Sequence, residues 1–519
     1  MSLKQQASSG AEVNERMAAL VSNANAIRAI ASAVEGTLGP KGLDTMLVDK
    51  FGEVVITNDG VTILTMMEAN HPAARMLINI ARAQQEEIGD GTTTATVLAG
   101  ALVGHGVEQV ARGVPVARVI EGLRAGVQAG IESIRRRSLP VKDVSDPVVR
   151  QVALVAGRGH QDIADLVVGA SGMVGREKLL DRSFSFADTV VAEEGADNHV
   201  FRGVIISKER MNRQMPEEIK DTLVLAIDDA LEPEEMEDEA LSTEAGFARY
   251  MDLQSQFRAN VQRIVEVGVG LVLVDRGVSE AAEEILTDAG VMVIQRVMSR
   301  ELRKAAEHTG ARMIKRNGLK RDTGQLLKCL GRAGRVYNDE KLEQVWIQDG
   351  GGMPMATVLV GAATAEVVGE RERIAKDAAA AVQAVVRGGV VPGGGSVELA
   401  AAGDVESIRS GMRGMAVYGV DCVVEALKRP MAQIVANAGF NPLEKLGDVV
   451  SAQAERGLDS LAVDCDTGEI VDMYQIGVAD PALVKTYALK AAGEIAEAIL
   501  RIDTIIKKRE EKNEGDSRN

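Results

Sequence analysis

The chain has 519 residues, 46% hydrophobic and 26% charged, so it is long enough for several globular domains. Only 3% of its residues are aromatic and its formal net charge is −17, which argues against nucleic acid or another polyanion as a partner. Three scattered cysteines, without a CxxC spacing, fit thiols in a reducing compartment better than a disulfide or zinc framework.

The N-terminal segment lacks the apolar core of a secretory signal, and no apolar run approaches 18 residues. We therefore expect a cytoplasmic protein with no membrane partner. Residues 14–35 repeat apolar side chains at helical spacing, which predicts an amphipathic helix that ends at Gly36. The stretch TLGPKG (37–42) follows, and its glycines permit close backbone approach to a phosphate. The spacing of a Walker A motif is absent, so this stretch alone is better explained as a plain turn.

Two short apolar runs, EVVIT (53–57) and VTIL (61–64), predict strands that are joined by a tight Asn-Asp-Gly turn. Asn-Asp-Gly is a favoured sequence for such turns, so a turn without any binding role is a strong explanation for these three residues. Asp59 would nevertheless stand at the tip of the hairpin, where its carboxylate could face a ligand.

Helical patterns dominate residues 72–137 and contain the stretch GDGTTTATVLAG (89–100). Gly-Asp-Gly is a tight turn, and the threonines open an apolar helix whose N–H groups and dipole suit a phosphate. Asp90, just ahead of this helix, could hold Mg²⁺ against that phosphate. The structural alternative is a threonine-capped helix that follows a glycine turn.

From about residue 200, continuous apolar runs typical of buried strands alternate with helical segments, which predicts a separate α/β domain. The predicted strands are 222–228, 270–275 and 291–297, and the predicted helices are 279–290 and 299–310. Residues 231–265 interrupt this pattern with an acidic lead-in and a helix rich in large apolar side chains. Such a stripe usually faces a core, but a short loop would suffice between two strands, so a protruding element is plausible.

Residues 368–387 predict a long helix with Asp377 at the edge of its apolar face, where a carboxylate needs a partner or a function. The next stretch, VVPGGGSVELA (390–400), offers either backbone that a nucleotide can contact or a flexible linker in which Ser396 caps a helix.

Near the C-terminus, alternation over residues 461–473 predicts a hairpin with its turn at residues 466–468. The dipeptide Asp480-Pro481 predicts the N-cap and first residue of the last helix.

The motifs TLGPKG, ITNDGVTIL, GDGTTTATVLAG and VVPGGG, and the stretch from GEIVDMY to ILRID, resemble chaperonins of the thermosome class (group II) in order and separation. The resemblance covers residues 15–507. Residues 231–265 are similar to the protrusion that distinguishes this class from ring chaperonins with a separate lid protein, and the tail lacks the Gly-Gly-Met repeat of those proteins. The divergent amino-acid sequence of the apical segment also suits a bacterial offshoot of the class.

This resemblance implies a mixed α and α/β subunit of three domains. These are a mainly helical equatorial ATP-binding domain (1–141 and 395–519), a small intermediate hinge domain (142–206 and 361–394) and an α/β apical client-binding domain (207–360) with a helical lid protrusion (231–265).

The resemblance also implies roles for individual residues. Asp59 and Asp377 would be catalytic and position the attacking water, and Asp90 would bind Mg²⁺. The nucleotide-binding residues would be Thr37, Leu38, Gly39, Pro40, Gly91, Thr92, Thr93, Thr94, Arg158, Gly394 and Asp480. Arg158 stands where the family has a lysine that senses the γ-phosphate, which predicts a difference in nucleotide sensing.

The function implied is that of an ATP-hydrolysing chaperone. Its subunits would form a homo-oligomer of two stacked rings, enclose unfolded or partly folded clients, and close a built-in lid without a separate lid co-chaperonin. Two other classes compete with this interpretation. A metabolic ATP-dependent enzyme would need a small-molecule site with further acid/base pairs, which the sequence does not supply. A non-catalytic scaffold would require Asp59, Asp90 and Asp377 to be incidental.

Overall fold

A computed structural model divides the chain into two compact units. The first unit combines residues 1–159 with 380–519, so the N-terminal and C-terminal parts of the chain fold together, and the second is the continuous stretch 160–379. The finer division into three domains stays a prediction. The residues that the structure describes are 3–48, 52, 54–234 and 243–504.

Helices form most of the first unit and cover the sheet of the second, as the apolar periodicity predicted. In chain order they are α1 (Leu3–Glu35), α2 (Gly60–Met66), α3 (Pro72–Glu87), α4 (Thr92–Ala111), α5 (Val116–Arg137), α6 (Pro147–Ala156), α7 (Gln161–Val174), α8 (Arg176–Leu180), α9 (Glu244–Glu266), α10 (Glu280–Asp288), α11 (Ser299–Thr309), α12 (Thr323–Leu327), α13 (Ala365–Gly388), α14 (Ser396–Ser407), α15 (Val417–Asn437), α16 (Pro442–Arg456) and α17 (Ala482–Leu500).

An extended apolar core with α4 at its centre holds most helices of the first unit together. Most of the sequence of α4 is apolar, which is typical of a core helix, and its side chains Leu98, Leu102 and Val103 are completely enclosed. Helices α1, α3, α15 and α17 pack around it. The candidate stretch GDGTTT thus opens a helix that packs in the core of this unit.

The strands of the first unit form three antiparallel pairs: β1 (Thr45–Val48) with β2 (Val54–Thr57), β11 (Val390–Pro392) with β14 (Ala479–Pro481), and β12 (Leu461–Val463) with β13 (Ile470–Asp472). The β12–β13 pair confirms the hairpin predicted near the C-terminus. Pairing of β11 with β14 joins the segment VVP to the segment that carries Asp480, although ninety residues of sequence separate them.

The hairpin predicted around Asn-Asp-Gly is wrong. Strand β2 pairs with β1, upstream of it, and the chain enters α2 directly after Asp59. Asp59 is the N-cap of α2, and its Oδ2 accepts hydrogen bonds from the backbone N–H and the hydroxyl of Thr62, at 2.9 and 2.6 Å. Aspartate before glycine suits an N-cap as well as a turn, so the local sequence alone did not distinguish the two.

Two predicted helix caps are also wrong. Asp480 lies in β14, and Pro481 is the N-cap of α17. Gly395, with a φ of 79°, is the N-cap of α14, while the hydroxyl of Ser396 donates to the carbonyl of Gly393 at 2.8 Å. Sheet pairing and a left-handed glycine therefore replace the side-chain caps that were expected.

The second unit contains an eight-stranded mixed sheet in the order β3-β10-β4-β9-β8-β5-β6-β7. Its strands are β3 (Val190–Glu194), β4 (His199–Ile206), β5 (Glu218–Ile227), β6 (Val269–Val274), β7 (Met292–Ile294), β8 (Gly331–Asp339), β9 (Gln344–Gly350) and β10 (Ala356–Ala362). Strands β5, β6 and β7 are parallel neighbours, which confirms the predicted α/β organisation.

Alternating side chains of β5 pack on opposite faces of this sheet. Leu225 and Ile227 join an apolar cluster with α9 and α10, whereas Val224 and Ala226 join a cluster with α11. A strand that is buried on both faces must be apolar throughout, which is why residues 222–228 read as a continuous apolar run. The predicted mixed α and α/β fold class is confirmed.

Helix α9 has two different halves. Its C-terminal half packs into the second unit through Phe257, Val261 and Ile264. Its N-terminal half exposes Phe247 and Met251, which are 58% and 53% accessible. The predicted apolar stripe is therefore partly core and partly surface. Residues 235–242 of the acidic lead-in lie outside the described residues.

By length and composition, the stretch Met17–Glu35 of α1 would suffice to cross a membrane, although its apolar side chains are not consecutive. Leu20, Ile27 and Val34 of this stretch are fully buried in the protein. Packing within the first unit accounts for its apolar character.

Helices α5 and α15 cross at Gly122 and Gly419, and this contact generates a prediction about stability. A Cβ atom on Gly122 would lie 1.8 Å from the carbonyl oxygen of Ala416, so Gly122→Ala forces the two helices apart. We expect a loss of stability of about 1–3 kcal/mol or more, measured as a lower midpoint of urea unfolding. Gly403→Ala is the matched control, because a Cβ there meets nothing within 4 Å and alanine favours the helix. An unchanged midpoint for Gly122→Ala would contradict the tight crossing.

Candidate functional site

The N-terminus of α4 has the features of an anion site. Its N-cap, Gly91, has a φ of 80° and carries no side chain that could cap the helix. Thr92 and Thr94 are buried, whereas Thr93 is only half-buried. The backbone N–H groups of the first turn and the Thr93 hydroxyl are thus the donors that this end of the helix offers to a phosphate.

Asp90 lies immediately beside this helix end, half-buried, and its Oδ1 accepts a hydrogen bond of 2.6 Å from the Gly91 N–H. Burial raises the pKa of Asp90 above its ordinary value, and the neighbouring Asp480 carboxylate raises it further. The Gly91 N–H, Lys485 and Arg158 act in the opposite direction. Two carboxylates in a partly buried site favour a cation between or beside them, which fits Mg²⁺.

Mg²⁺ commonly binds one or two protein carboxylates and completes its shell with phosphate oxygens and water. In the described part of the chain, no group of three or more His, Cys, Asp or Glu side chains is arranged to hold a metal ion. The donor set around Asp90 therefore fits a metal that arrives with a phosphate ligand better than a metal held by protein alone.

The start of α2 abuts the start of α4. A Cβ atom placed on Gly60 would lie 2.5 Å from Thr93 Oγ1 and 3.2 Å from Thr92 Oγ1, so only glycine fits there. Asp59, the residue before it, is consequently held beside the threonines of α4. The structure brings these predicted residues together even though the predicted hairpin is wrong.

A buried lysine that the sequence analysis missed connects three segments around this site. Lys485 Nζ lies 2.8 Å from Asp480 Oδ2 and 2.9 Å from Glu398 Oε1. Lys485 is 8% exposed and Glu398 only 1%. Burial alone would lower the pKa of Lys485, but Asp480 and Glu398 raise it well above its ordinary value. Neither oxygen of Glu398 accepts a well-aligned hydrogen bond, so its charge is compensated by the ion pair.

Gln84 is a second residue that was missed. Its side-chain amide donates to the backbone carbonyl of Asp90 at 2.7 Å and to that of Val484 at 3.4 Å. Gln84 therefore fixes the Gly-Asp-Gly turn against the beginning of α17. A glutamine in the interior of an amphipathic helix was the signal that could have identified it.

The TLGPKG loop is held by α15. The Asn437 side chain donates to the carbonyls of Glu35 and Leu38, at 2.9 and 2.8 Å. Gly39 has a φ of 86°, and a Cβ there would lie 3.1 Å from Ile434 of the same helix. Within this loop, Thr37 Oγ1 donates to the Val34 carbonyl at 2.9 Å and Pro40 is exposed.

The triple-glycine loop contacts α15 one turn earlier and also reaches Asp480. A Cβ on Gly395 would lie 2.8 Å from Met431, and one on Gly393 would lie 3.2 Å from Asp480 Oδ2. Gly394 has a φ of 66° and faces Met473. Both glycine loops are thus positioned by one stretch of α15, and the second is joined to the lysine-centred ion pair.

Arg158 follows α6 in a left-handed conformation with a φ of 54°, which is uncommon for a residue with a side chain. Its charge lowers the pKa of Asp90, so the arginine acts on the same carboxylate as Lys485. Asp377, in contrast, lies in the second unit on α13, where its Oδ2 accepts a hydrogen bond of 2.9 Å from Arg373 Nη1.

Comparison with known proteins gives a consistent picture. A model of the TCP-1/cpn60 chaperonin family matches residues 30–510. The chain is 32% identical to thermosome subunit 1 of Haloferax volcanii over 497 residues, which are 93% of this chain and 88% of that protein. It is 33% identical to the thermosome subunit beta of Archaeoglobus fulgidus over 501 residues, with 93% and 91% covered.

Among solved structures, the chain is similar to a group III chaperonin crystallised in the open state. The two share 46% sequence identity with a TM-score of 0.87, and the match covers 95% of this chain and 100% of the other. The likeness therefore extends over both units.

The lysine-centred ion pair predicts a pH-dependent stability defect. Lys485→Met leaves two carboxylates close together with Glu398 buried, which we expect to cost roughly 3–5 kcal/mol in urea unfolding at pH 7. An unpaired buried carboxylate is destabilising only while it is charged, so protonation should relieve the defect as the pH falls. The loss at pH 5 should therefore be smaller than at pH 7.

Lys490→Met provides the control for this experiment, because Lys490 is an exposed residue of the same helix, 3.9 Å from Glu494. It should change stability by less than about 1 kcal/mol. A loss in Lys485→Met that matched the control, or that was independent of pH, would show that the ion pair does not stabilise this region.

Proposed function

The chain belongs to the TCP-1/cpn60 chaperonin family, and we propose that it hydrolyses ATP at the site around the N-terminus of α4. It is the subunit of an ATP-dependent double-ring chaperonin that assists protein folding. The observation that carries the proposal is the arrangement of Asp90 beside an N-cap without a capping side chain, next to Asp480 and Lys485.

Each part of this site suits a nucleoside triphosphate. The N–H groups at the start of α4 and the Thr93 hydroxyl would bind phosphate oxygens. The backbone at Gly39 and Gly394 can approach the ligand closely, because neither residue has a side chain. The Asp480 carboxylate, fixed by Lys485 at 2.8 Å, would accept hydrogen bonds from ribose hydroxyls. The remaining proposed contacts are Thr37, Leu38, Pro40, Gly91, Thr92, Thr94 and Arg158.

Asp90 would hold Mg²⁺ in this site. When bound, the ion neutralises charge on the phosphates, which is a large part of what phosphoryl transfer needs. Burial and the Asp480 carboxylate raise the pKa of Asp90 and so disfavour its charged form, which a bound cation would stabilise.

Asp59 and Asp377 are the proposed catalytic carboxylates that orient the attacking water. Two hydrogen bonds from Thr62 to Asp59 Oδ2 fix the orientation of the first carboxylate. Arg373 holds the second through a contact of 2.9 Å. The role of Asp377 rests on the resemblance to the chaperonin family.

We further propose that identical subunits assemble in the cytoplasm into the two rings and bind non-native clients. The β1–β2 hairpin supports self-association, because Met46, Val48, Val54 and Ile56 all expose apolar surface that another subunit could cover. The exposed half of α9 supports a built-in lid, which would make a separate lid protein unnecessary.

Substitutions of Asp377 and Asp90 should distinguish the hydrolysis of ATP from its binding. Asp377→Ala should keep ATP affinity but lower turnover by on the order of 10²-fold or more, because water is no longer oriented. Asp90→Ala should weaken binding of ATP in the presence of Mg²⁺, because it removes a metal ligand. Steady-state hydrolysis and calorimetric nucleotide titration distinguish the two effects.

Glu372→Ala, on the same helix as Asp377, is the control and should behave as wild type. Normal turnover in Asp377→Ala would remove that residue from the catalytic set.

The lid proposal predicts that closure of the lid can be lost while ATP hydrolysis is retained. Replacing Phe247 and Met251 by serine removes the exposed apolar surface of α9 without touching its buried half. ATP hydrolysis should persist, but an enclosed client should lose its ATP-dependent protection from protease, since burial of that surface favours closure. Met173→Ser, a partly exposed apolar position on α7, is the control. Full client protection in the double variant would contradict a lid function for this surface.

A further inference from the structure

A cavity of about 540 Å³ opens on the second unit, formed entirely by residues between α11 and β8. It is separate from every residue assigned to the nucleotide site. Its lining residues are Arg312, Met313, Ile314, Lys315, Asn317, Gly318, Arg321 and Cys329.

The cavity is cationic. Arg312, Lys315 and Arg321 all contribute to its wall and all are exposed, and none of the described residues that line it carries a carboxylate. The chain as a whole carries a net charge of −17, so an acidic ligand is repelled by most of the molecule. The cavity is therefore a place where negative charge is locally favoured.

Neighbouring cations show what the fold needs for its own stability. Arg316 Nη1 donates to the carbonyls of Glu232 and Pro233, at 3.3 and 3.1 Å, and Lys320 Nζ pairs with Glu234 at 2.8 Å. These two side chains tie residues 316–320 to the segment 232–234, which follows β5 in the chain.

The three cavity cations are not used in this way. Among the residues that the structure describes, Arg312, Lys315 and Arg321 take part in no ion pair. Arg321 Nη1 has only a weak contact of 3.3 Å with the Cys329 sulfur. Their charges remain available to a ligand.

The frame of the cavity is rigid, although its charged side chains are long. The backbone N–H of Ile314 donates to Ala226 of the sheet at 3.0 Å, and that of Arg312 donates to Cys329 at 2.9 Å. Arg263 of α9 donates to the carbonyls of Leu319 and Arg321 at 2.7 and 3.0 Å, which fixes the far wall. A preformed frame lowers the entropic cost of binding.

The exposure of the charged side chains in the cavity wall distinguishes between a small phosphate compound and an extended peptide as the ligand. A site for a small phosphate compound places buried, converging donors around the anion, whereas these cations are exposed at the rim. Met313, 39% exposed, adds an apolar surface between Arg312 and Ile314. Exposed cations around an apolar surface suit an extended peptide that carries carboxylates next to apolar side chains.

We propose that this cavity binds acidic segments of non-native client proteins. The inference rests on the proposed client-binding function and adds a charge preference to it. Each client carboxylate would pair with a cation at the rim while neighbouring apolar side chains contact Met313. Clients would then be captured at two different surfaces of the second unit, one cationic and one apolar at α9.

A binding experiment with the intact assembly tests this proposal. The probe is a fluorescently labelled peptide of alternating Glu and Leu, compared with one of alternating Gln and Leu, in the absence of nucleotide. The acidic peptide should bind the wild type at least tenfold more tightly, and added salt should reduce that difference. The triple variant R312E/K315E/R321E should lose at least tenfold in affinity for the acidic peptide and little for the neutral one.

The matched control is K208E/R213E/K220E, which changes the net charge equally at exposed positions of the same unit outside the cavity. An equal loss of acidic-peptide binding in this control would overturn the proposal, since the effect would be a general one of charge. Competition by inorganic phosphate or tripolyphosphate at concentrations equal to the peptide would also overturn it in favour of a small-anion site.

The same samples distinguish this inference from the proposed function. Native mass and ATP hydrolysis of the triple variant should match the wild type, because the substituted side chains are exposed and take part in no ion pair among the described residues. If the wild type hydrolyses ATP and refolds a client without acidic clusters but binds both peptides equally, only the charge preference fails. If the wild type neither hydrolyses ATP nor refolds that client, the proposed function itself fails.

Discussion

The ion pair of Lys485 with Asp480 and Glu398 joins the parts on which the candidate site at the N-terminus of α4 depends. It links β14, the first turn of α14 and the first turn of α17, all of them distant in sequence from α4. Burying this lysine is favourable only while both carboxylates surround it, because an isolated buried charge is strongly destabilising. The charges that stabilise the first unit therefore also fix Asp480, which raises the pKa of Asp90.

The site lies at the ends of rigid elements rather than on long loops. Helix α4 crosses the centre of the core, and α15 holds both glycine loops. Such a frame suits phosphoryl transfer, in which the protein contributes position and charge more than covalent chemistry. The second unit has a different character, since its sheet is buried on both faces and its exposed apolar and cationic surfaces lie on α9 and around the cavity. The proposed phosphate and metal contacts thus lie in the first unit, whereas the exposed apolar and cationic surfaces lie in the second unit, which also carries Asp377.

The sequence by itself determined the fold class, most of the elements and the site candidates. Helix α1 ends before Gly36 and α4 begins with the threonines, because apolar periodicity and glycine position are local signals. The buried strands of the α/β region were equally clear, since a strand covered on both faces is apolar throughout. The motif order that resembled thermosome-class chaperonins agrees with the similarity to thermosome subunits and to a group III chaperonin.

Only the tertiary structure decided how ambiguous local signals are used. Asn-Asp-Gly suits a hairpin turn or an N-cap, and contact with α4 selects the cap at Asp59. Asp480 suits an N-cap or a strand, and pairing with β11 selects the strand. Lys485 gave no signal in the sequence, because its burial and its ion pairs depend on packing between separate segments of the chain. Local propensity specifies elements, whereas their partners follow from packing between distant segments.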